Sequence, residues 1–93
     1  MTDQARAKVV VRGVVQGVGY RYFVRKAAVE LGVAGRVRNR FDGSVEVLAE
    51  GDGARVRTLI DHLRVGPRFA SVESVDVEWE DPTGEFRGFD YAF

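Results

Sequence analysis

Val15-Gln16-Gly17-Val18-Gly19-Tyr20-Arg21 joins two segments of different periodicity, and that change of period decides the fold. Upstream, Ala7 to Val14 sets Val9 and Val11 against Lys8, Val10 and Arg12, the twofold alternation of a strand. Downstream, Tyr20, Phe23, Val24, Ala27, Ala28 and Leu31 recur at the third-and-fourth spacing of an amphipathic helix. Gly32 then stands where a left-handed C-terminal residue belongs. The glycine stretch is therefore a strand-to-helix junction. The helix it opens is charged against the helix macrodipole, because Arg21, Arg25 and Lys26 fill its first turns and no acid appears before Glu30.

Working outward, Gly35 to Arg40 and Ser44 to Glu50 both alternate and read as strands. A two-residue turn at Asp42-Gly43 would put Val45 and Val47 on the arginine face, so parity rejects it. A three-residue loop, Phe41-Asp42-Gly43 with Gly43 left-handed, instead pairs Val37 with Val47, Arg38 with Glu46 and Asn39 with Val45. A second helix follows Asp52 as N-cap, with Val56, Leu59, Ile60 and Leu63 on one face and Gly66-Pro67 closing it. Val75, Val77 and Trp79 alternate with Asp76, Glu78 and Glu80 in a further strand, and Asp81-Pro82-Thr83-Gly84 reads as a turn. Phe86 to Phe93 adds a short edge strand through Phe89 and Tyr91.

The predicted order, strand-helix-strand-strand-helix-strand, is the α+β ferredoxin-like βαββαβ sandwich: an antiparallel sheet of order 4-1-3-2, a short extra C-terminal edge strand, and both helices on one face. The 93 residues suit one domain over 1–93, with 1–6 as a flexible tail; 45% hydrophobic and 30% charged content excludes a disordered chain. No apolar run is long enough to cross a membrane, and no signal-peptide pattern opens the chain, so a cytoplasmic monomer is the expectation. The absence of cysteine removes disulfides and a thiolate nucleophile.

The zero net charge conceals an asymmetry. Residues 1–40 hold nine Lys/Arg and two Asp/Glu, whereas residues 41–93 hold five and twelve. In the order 4-1-3-2 the outward faces alternate acidic, basic, acidic and basic: acids on strand four, Lys8 and Arg12, Glu46 and Glu50, then the strand-two arginines. The halves neutralise each other across neighbouring strands, which argues against a nucleic-acid partner. The open face also offers only Val10 and Leu48 as large apolar residues, where RNA-recognition modules of this topology stack bases on aromatics.

At the junction itself, two readings stand on spacing alone. Gly17 and Gly19 allow positive φ, so successive N–H groups converge on an oxyanion and Arg21 adds a bidentate charged contact. Otherwise the same glycines form a turn whose amides meet water. The spacing fits neither the dinucleotide fingerprint, since Tyr22 occupies the position of its third glycine, nor a P-loop, since no Gly-Lys-Ser/Thr follows.

Gly13 to Arg21, then Val37-Arg38-Asn39 and Asp42-Gly43-Ser44-Val45-Glu46, resemble the two signature stretches of the acylphosphatases. The resemblance runs from about Lys8 to the C-terminus. It implies hydrolysis of a small acyl phosphate to a carboxylate and inorganic phosphate, with no metal or cofactor. It also places Arg21 at the phosphate-binding arginine and Asn39 at the asparagine that orients water. Val15, Gln16, Gly17, Val18, Gly19 and Tyr20 would supply the cradle with Arg21. Two departures stand out: Tyr20 occupies the position of a phenylalanine and adds a hydroxyl that needs a partner, and Arg36 replaces an aromatic residue on the open face.

The chemistry suits these residues. A carboxylate leaving group, with a conjugate-acid pKa of about 4, departs without a protonating side chain. What remains is to position a water and stabilise the equatorial phosphoryl oxygens, work for an arginine and fixed N–H groups. A phosphate-binding module without turnover is the alternative on the same fold, and an RNA-binding module is a weaker one. Elsewhere, Trp79 is expected to pack with the core valines, His62 to lie in solvent, and Asp76, Glu78 and Glu80 to form a salt-bridged surface.

Overall fold

The computed structural model describes residues 3–92. The elements follow as β1 (Gln4–Val14), α1 (Tyr20–Leu31), β2 (Ala34–Asn39), β3 (Val45–Asp52), α2 (Gly53–Val65), β4 (Ser71–Glu80) and β5 (Phe89–Tyr91). They form one sheet of order β4-β1-β3-β2-β5. β1, β2, β3 and β4 pair antiparallel, whereas β5 runs parallel to β2, with Gly35 opposite Phe89 and Val37 opposite Tyr91. The sheet is therefore mixed and not purely antiparallel. Parallel pairing follows from the connection: the chain leaves β4 at one edge and crosses to the other through residues 81–88, returning in the direction of β2.

The inward parities assemble as expected. Ala7, Val9, Val11, Val37, Val45, Val47 and Ala49 from the sheet meet Tyr20, Val24 and Ala28 of α1 and Val56, Leu59, Ile60 and Leu63 of α2 in one buried cluster. The β2–β3 register places Val37 opposite Val47, Arg38 opposite Glu46 and Asn39 opposite Val45. Gly43 supplies the left-handed residue at φ 91° that the three-residue loop requires. The Asp52 carboxylate accepts from the Arg55 N–H at 3.3 Å and caps α2. No helix among the described residues is long and apolar enough to cross a membrane.

Three further expectations need correction. Residues 4–6 are not tail: β1 begins at Gln4, and Arg6 is buried. Glu50 does not face water. Its carboxylate accepts from the Thr83 and Gly84 N–H groups at 3.1 and 2.6 Å, and from Arg6 at 3.1 Å, so residues 81–84 are a strap gripped by Glu50 and not a free turn. Trp79 is 49% exposed. Its parity faces the helices, but β4 is an edge strand, and Trp79 borders a surface groove with Arg57, Ile60, Asp61 and Arg64 of α2. Phe93, assigned to the edge strand, lies outside the described residues, as do Met1 and Thr2.

The strap also explains Arg36. Phe86 lies against two guanidinium groups of the open face, 5.0 Å from Arg6 and 5.7 Å from Arg36. The predicted cross-strand neutralisation holds elsewhere on that face: Arg38 and Lys8 reach Glu46 at 2.8 and 3.8 Å, and Arg12 reaches Asp76 at 2.7 Å.

Candidate active site

The junction between β1 and α1 adopts the conformation its glycines allow. Gly17 and Gly19 have φ of 75° and 79°, and a Cβ at either position would meet no atom within 4 Å. These glycines answer to backbone conformation, not crowding, and the space above them is open to a ligand. Gly19 is the N-cap of α1 and offers no side chain, and the first turn contains no acid. The first helical bond runs from the Phe23 N–H to the Gly19 carbonyl at 3.1 Å. The amides of Tyr20, Arg21 and Tyr22 therefore point out of the helix without an intrahelical acceptor.

One cavity of about 400 Å³ covers these amides, lined by Val15, Gly17, Gly19, Tyr20, Arg21, Tyr22, Asn39 and Tyr91. Arg21 and Asn39, eighteen positions apart in the chain, thus share a cavity with the glycine cradle. Asn39 reaches it because it follows Val37 by two residues on the helix-facing parity, at the end of β2, where the core opens. Its Oδ1 is buried and has no hydrogen-bond partner among the described residues. Arg21 is half-buried and makes no ion pair or side-chain hydrogen bond among them.

Two cradle residues do not line the cavity. Val18 packs against the core cluster. Gln16 was the one side chain of the stretch able to accept from the orphan amides, but it turns away. Its Nε2 donates to the Arg40 and Ser44 carbonyls, each at 2.8 Å. Those carbonyls close the β2–β3 hairpin just beyond Asn39, so Gln16 ties the cradle to the strand end that carries Asn39. Sequence reasoning missed this role because a glutamine amide offers both donors and acceptors, and only the fold decides which is used. It also missed Tyr22 and Tyr91. Tyr22 carried no signal beyond the failed dinucleotide spacing, and Tyr91 enters only through the parallel docking of β5.

Tyr20 supplies the floor. It is 1% exposed, and its hydroxyl donates to the Leu63 carbonyl at 2.7 Å. That carbonyl lies in the last turn of α2, and the residue four positions on is Pro67, which has no N–H to give it. The added hydroxyl thus satisfies a carbonyl that the second helix leaves open. Burial holds the phenol above its usual titration range, so it stays protonated. Behind the cavity, Arg25 donates from Nε to the Phe89 carbonyl at 3.0 Å and lies 5.7 Å from the Tyr91 ring. This arginine fixes β5 against α1. His62 is exposed on α2, as its position off the apolar stripe implied.

Comparison with known proteins agrees with the resemblance in sequence and in fold. The acylphosphatase family profile matches residues 7–91. An acylphosphatase of Roseiflexus sp. (strain RS-1) is 51% identical over 89 residues, spanning 96% of each chain. One from Pelotomaculum thermopropionicum is 52% identical over 91 residues, spanning 98% of this chain and 99% of the other. Among solved structures, the acylphosphatase of Bacillus subtilis superposes with a TM-score of 0.92 at 34% identity, covering 96% of this chain and 99% of its own. The chain belongs to the acylphosphatase family, hydrolases that act on acid anhydrides.

Proposed function

We propose that the cavity at the start of α1 hydrolyses small acyl phosphates, with the phosphoryl group held by the Arg21 guanidinium and the amides of residues 15–20, and with Asn39 orienting the attacking water. The water oxygen forms a bond to phosphorus as the bond to the acyl oxygen breaks. The departing carboxylate takes the bonding electron pair, and the proton lost by water leaves with phosphate or solvent. Arg21 and the α1 amides neutralise charge on the equatorial oxygens, the work that fixed donors do best. The Asn39 Oδ1 accepts a hydrogen bond from the water and aims its lone pair at phosphorus.

The observation that carries this reading is that Asn39, whose buried Oδ1 has no partner among the described residues, lines the same cavity as the start of α1 and Arg21, which makes no ion pair among them. A buried acceptor without a partner costs stability, and acceptor, donors and cation together complement a phosphoryl group and a water.

Steady-state hydrolysis of benzoyl phosphate tests it, combined with thermal unfolding. Arg21→Ala and Asn39→Ala are each expected to lower kcat by roughly 10²- to 10³-fold. Asn39→Ala is expected to melt at or above the wild-type temperature, since it deletes an unsatisfied buried atom. Inorganic phosphate should raise the melting temperature of the wild type and have less effect on Arg21→Ala. Full activity in either variant, or no wild-type turnover, would refute the assignment.

A further inference from the structure

Eight large apolar side chains are exposed among the described residues, and six of them gather at one end of the molecule: Val14, Tyr22, Phe41, Val65, Phe69 and Tyr91. β1, β2, β5 and α2 finish at that end, and α1, β3 and β4 start there, so it carries the glycine junction, the β2–β3 hairpin and the turn from α2 to β4. We propose that this end is a docking face for an anionic lipid bilayer, its exposed rings entering the headgroup layer and its arginines meeting lipid phosphates. The cavity mouth beside Tyr22 and Tyr91 then lies at headgroup level. On the reading of Arg21 and Asn39 given above, hydrolysis takes place at the lipid surface.

The clustering is tight. The molecule measures 39 × 22 × 21 Å, and the eleven residues of β1, at about 3.3 Å each, span most of the long axis. The six side chains therefore share an end face of 22 × 21 Å. Folding gives the phenylalanines no reason to be there. Phe41 is fully exposed at the hairpin tip, where the turn needs only the left-handed Gly43 and the Asp42 carboxylate that accepts from the Ser44 N–H at 3.0 Å. Phe69 is 74% exposed in the turn after α2. Backbone bonds close both turns, from the Arg40 N–H to the Ser44 carbonyl at 2.9 Å and from the Ala70 N–H to the Pro67 carbonyl at 3.0 Å, so the rings are held outward.

Charge at the same end complements a polyanionic surface. Asp42 is the only acid in the connecting residues 15–19, 40–44 and 66–70, and it is engaged by Ser44. Arg40, Arg64 and Arg68 make no ion pair among the described residues, and Arg68 lies 5.5 Å from the Phe69 ring, setting a cation beside an apolar group on one turn. At the opposite end, the terminal and connecting residues carry Asp3, Asp52, Asp81 and Glu85 against Arg87. Area and shape favour lipid over a folded protein. A face of 22 × 21 Å falls short of the roughly 800 Å² that each side of a stable protein interface buries, and its rings stand on separate turns around an open cavity. A bilayer moulds to such points, accepting aromatic rings at its boundary and arginines among its headgroups.

The test is co-sedimentation with vesicles of phosphatidylcholine alone and of phosphatidylcholine mixed with phosphatidylglycerol. Wild type is expected to bind the mixed vesicles at low salt, to ignore pure phosphatidylcholine, and to be released at about 1 M salt, where screening is strong. Phe41→Ser and Phe69→Ser should each lower the partition coefficient roughly five- to tenfold, and Arg68→Ser about fivefold. Trp79→Ser, which removes an exposed ring from the far end of β4, should bind as wild type does. Melting temperature and benzoyl phosphate hydrolysis without vesicles check that each variant is folded. No binding to the mixed vesicles, or undiminished binding by both phenylalanine variants, overturns the proposal. So does equal binding to soluble polyglutamate with the same dependence on Phe41 and Phe69, which would assign the face to an acidic protein. Vesicle binding by a wild type that does not turn over benzoyl phosphate refutes the catalytic reading and upholds the docking face.

Discussion

Replacing Tyr20 with phenylalanine removes one oxygen from the floor of the site and isolates its contribution. The ring stays, so no cavity forms around Val24 and Leu63, and the transfer of apolar surface is unchanged. What is lost is the 2.7 Å hydrogen bond to the Leu63 carbonyl. Water cannot easily replace it, since Leu63 is 0% exposed, and the backbone cannot either, because Pro67 lacks an N–H and the Gly66 N–H already serves His62 at 2.9 Å. A buried carbonyl left without a donor costs about 1–3 kcal/mol. For a domain of this size each kcal/mol moves the melting temperature by about 4–8 °C, so Tyr20→Phe should melt roughly 5–15 °C lower. The variant should also differ at alkaline pH. The unfolded phenol ionises near 10.0, while the buried one holds its proton to higher pH. Native chain therefore binds a proton that unfolded chain releases, and wild-type stability falls as pH rises above 10.0. Phenylalanine lacks that component, so the gap between the two proteins should narrow with rising pH. The assay is thermal unfolding followed by circular dichroism from about pH 7 upward, with Tyr22→Phe as a control on an exposed ring. A Tyr20→Phe protein that melts within about 1 °C of wild type at neutral pH would refute the reasoning, because an orphaned buried carbonyl should cost several times more than so small a shift represents.

Two further outcomes follow from the side chains around the site. Gln16→Leu removes both bonds to the Arg40 and Ser44 carbonyls and frees the cradle from the strand end bearing Asn39; kcat/KM for benzoyl phosphate should fall roughly ten- to a hundredfold with the fold retained, and wild-type activity would show that the tie is irrelevant to geometry. Burial alone would raise the Glu50 carboxyl, but the Gly84 and Thr83 amides and Arg6 outweigh it and hold it below its usual 4.5, so its stabilising contribution is present above that pH and lost as pH falls through the lower folded value; Glu50→Gln should flatten the acid limb of a urea-unfolding stability profile below pH 4.5, and an unchanged limb would remove Glu50 from the account.

How much of this was legible beforehand differs from residue to residue. Periodicity alone gave α1 its bounds and Gly32 its left-handed conformation, and parity alone chose the β2–β3 register, because a one-residue slip would have turned Val45 and Val47 to solvent. The same parity placed Asn39 on the helix side of the sheet. Parity failed where the sheet ends. It put Trp79 in the core, but on the edge strand its ring borders an open groove beside α2 and stays half exposed, and it put Glu50 in water, where the strap instead buries it.

The sequence by itself determined the local conformations and the list of reactive groups: the glycine junction, the helix charged against its dipole, and the strand-end asparagine. These are set by bonded geometry, side-chain spacing and charge along a continuous stretch of chain. Tertiary structure decided which groups meet. Gln16 donates to a hairpin instead of accepting from α1, Tyr20 reaches a carbonyl that Pro67 leaves open, and Tyr91 joins the cavity because β5 docks parallel to β2. Each of these contacts joins residues at least twenty-four positions apart, and no local rule specifies the partner of a side chain across that separation. The empty acceptor of Asn39 beside the uncapped amides is of the same kind: its residue was visible in the chain, and its lack of a partner became visible only when the chain closed around it.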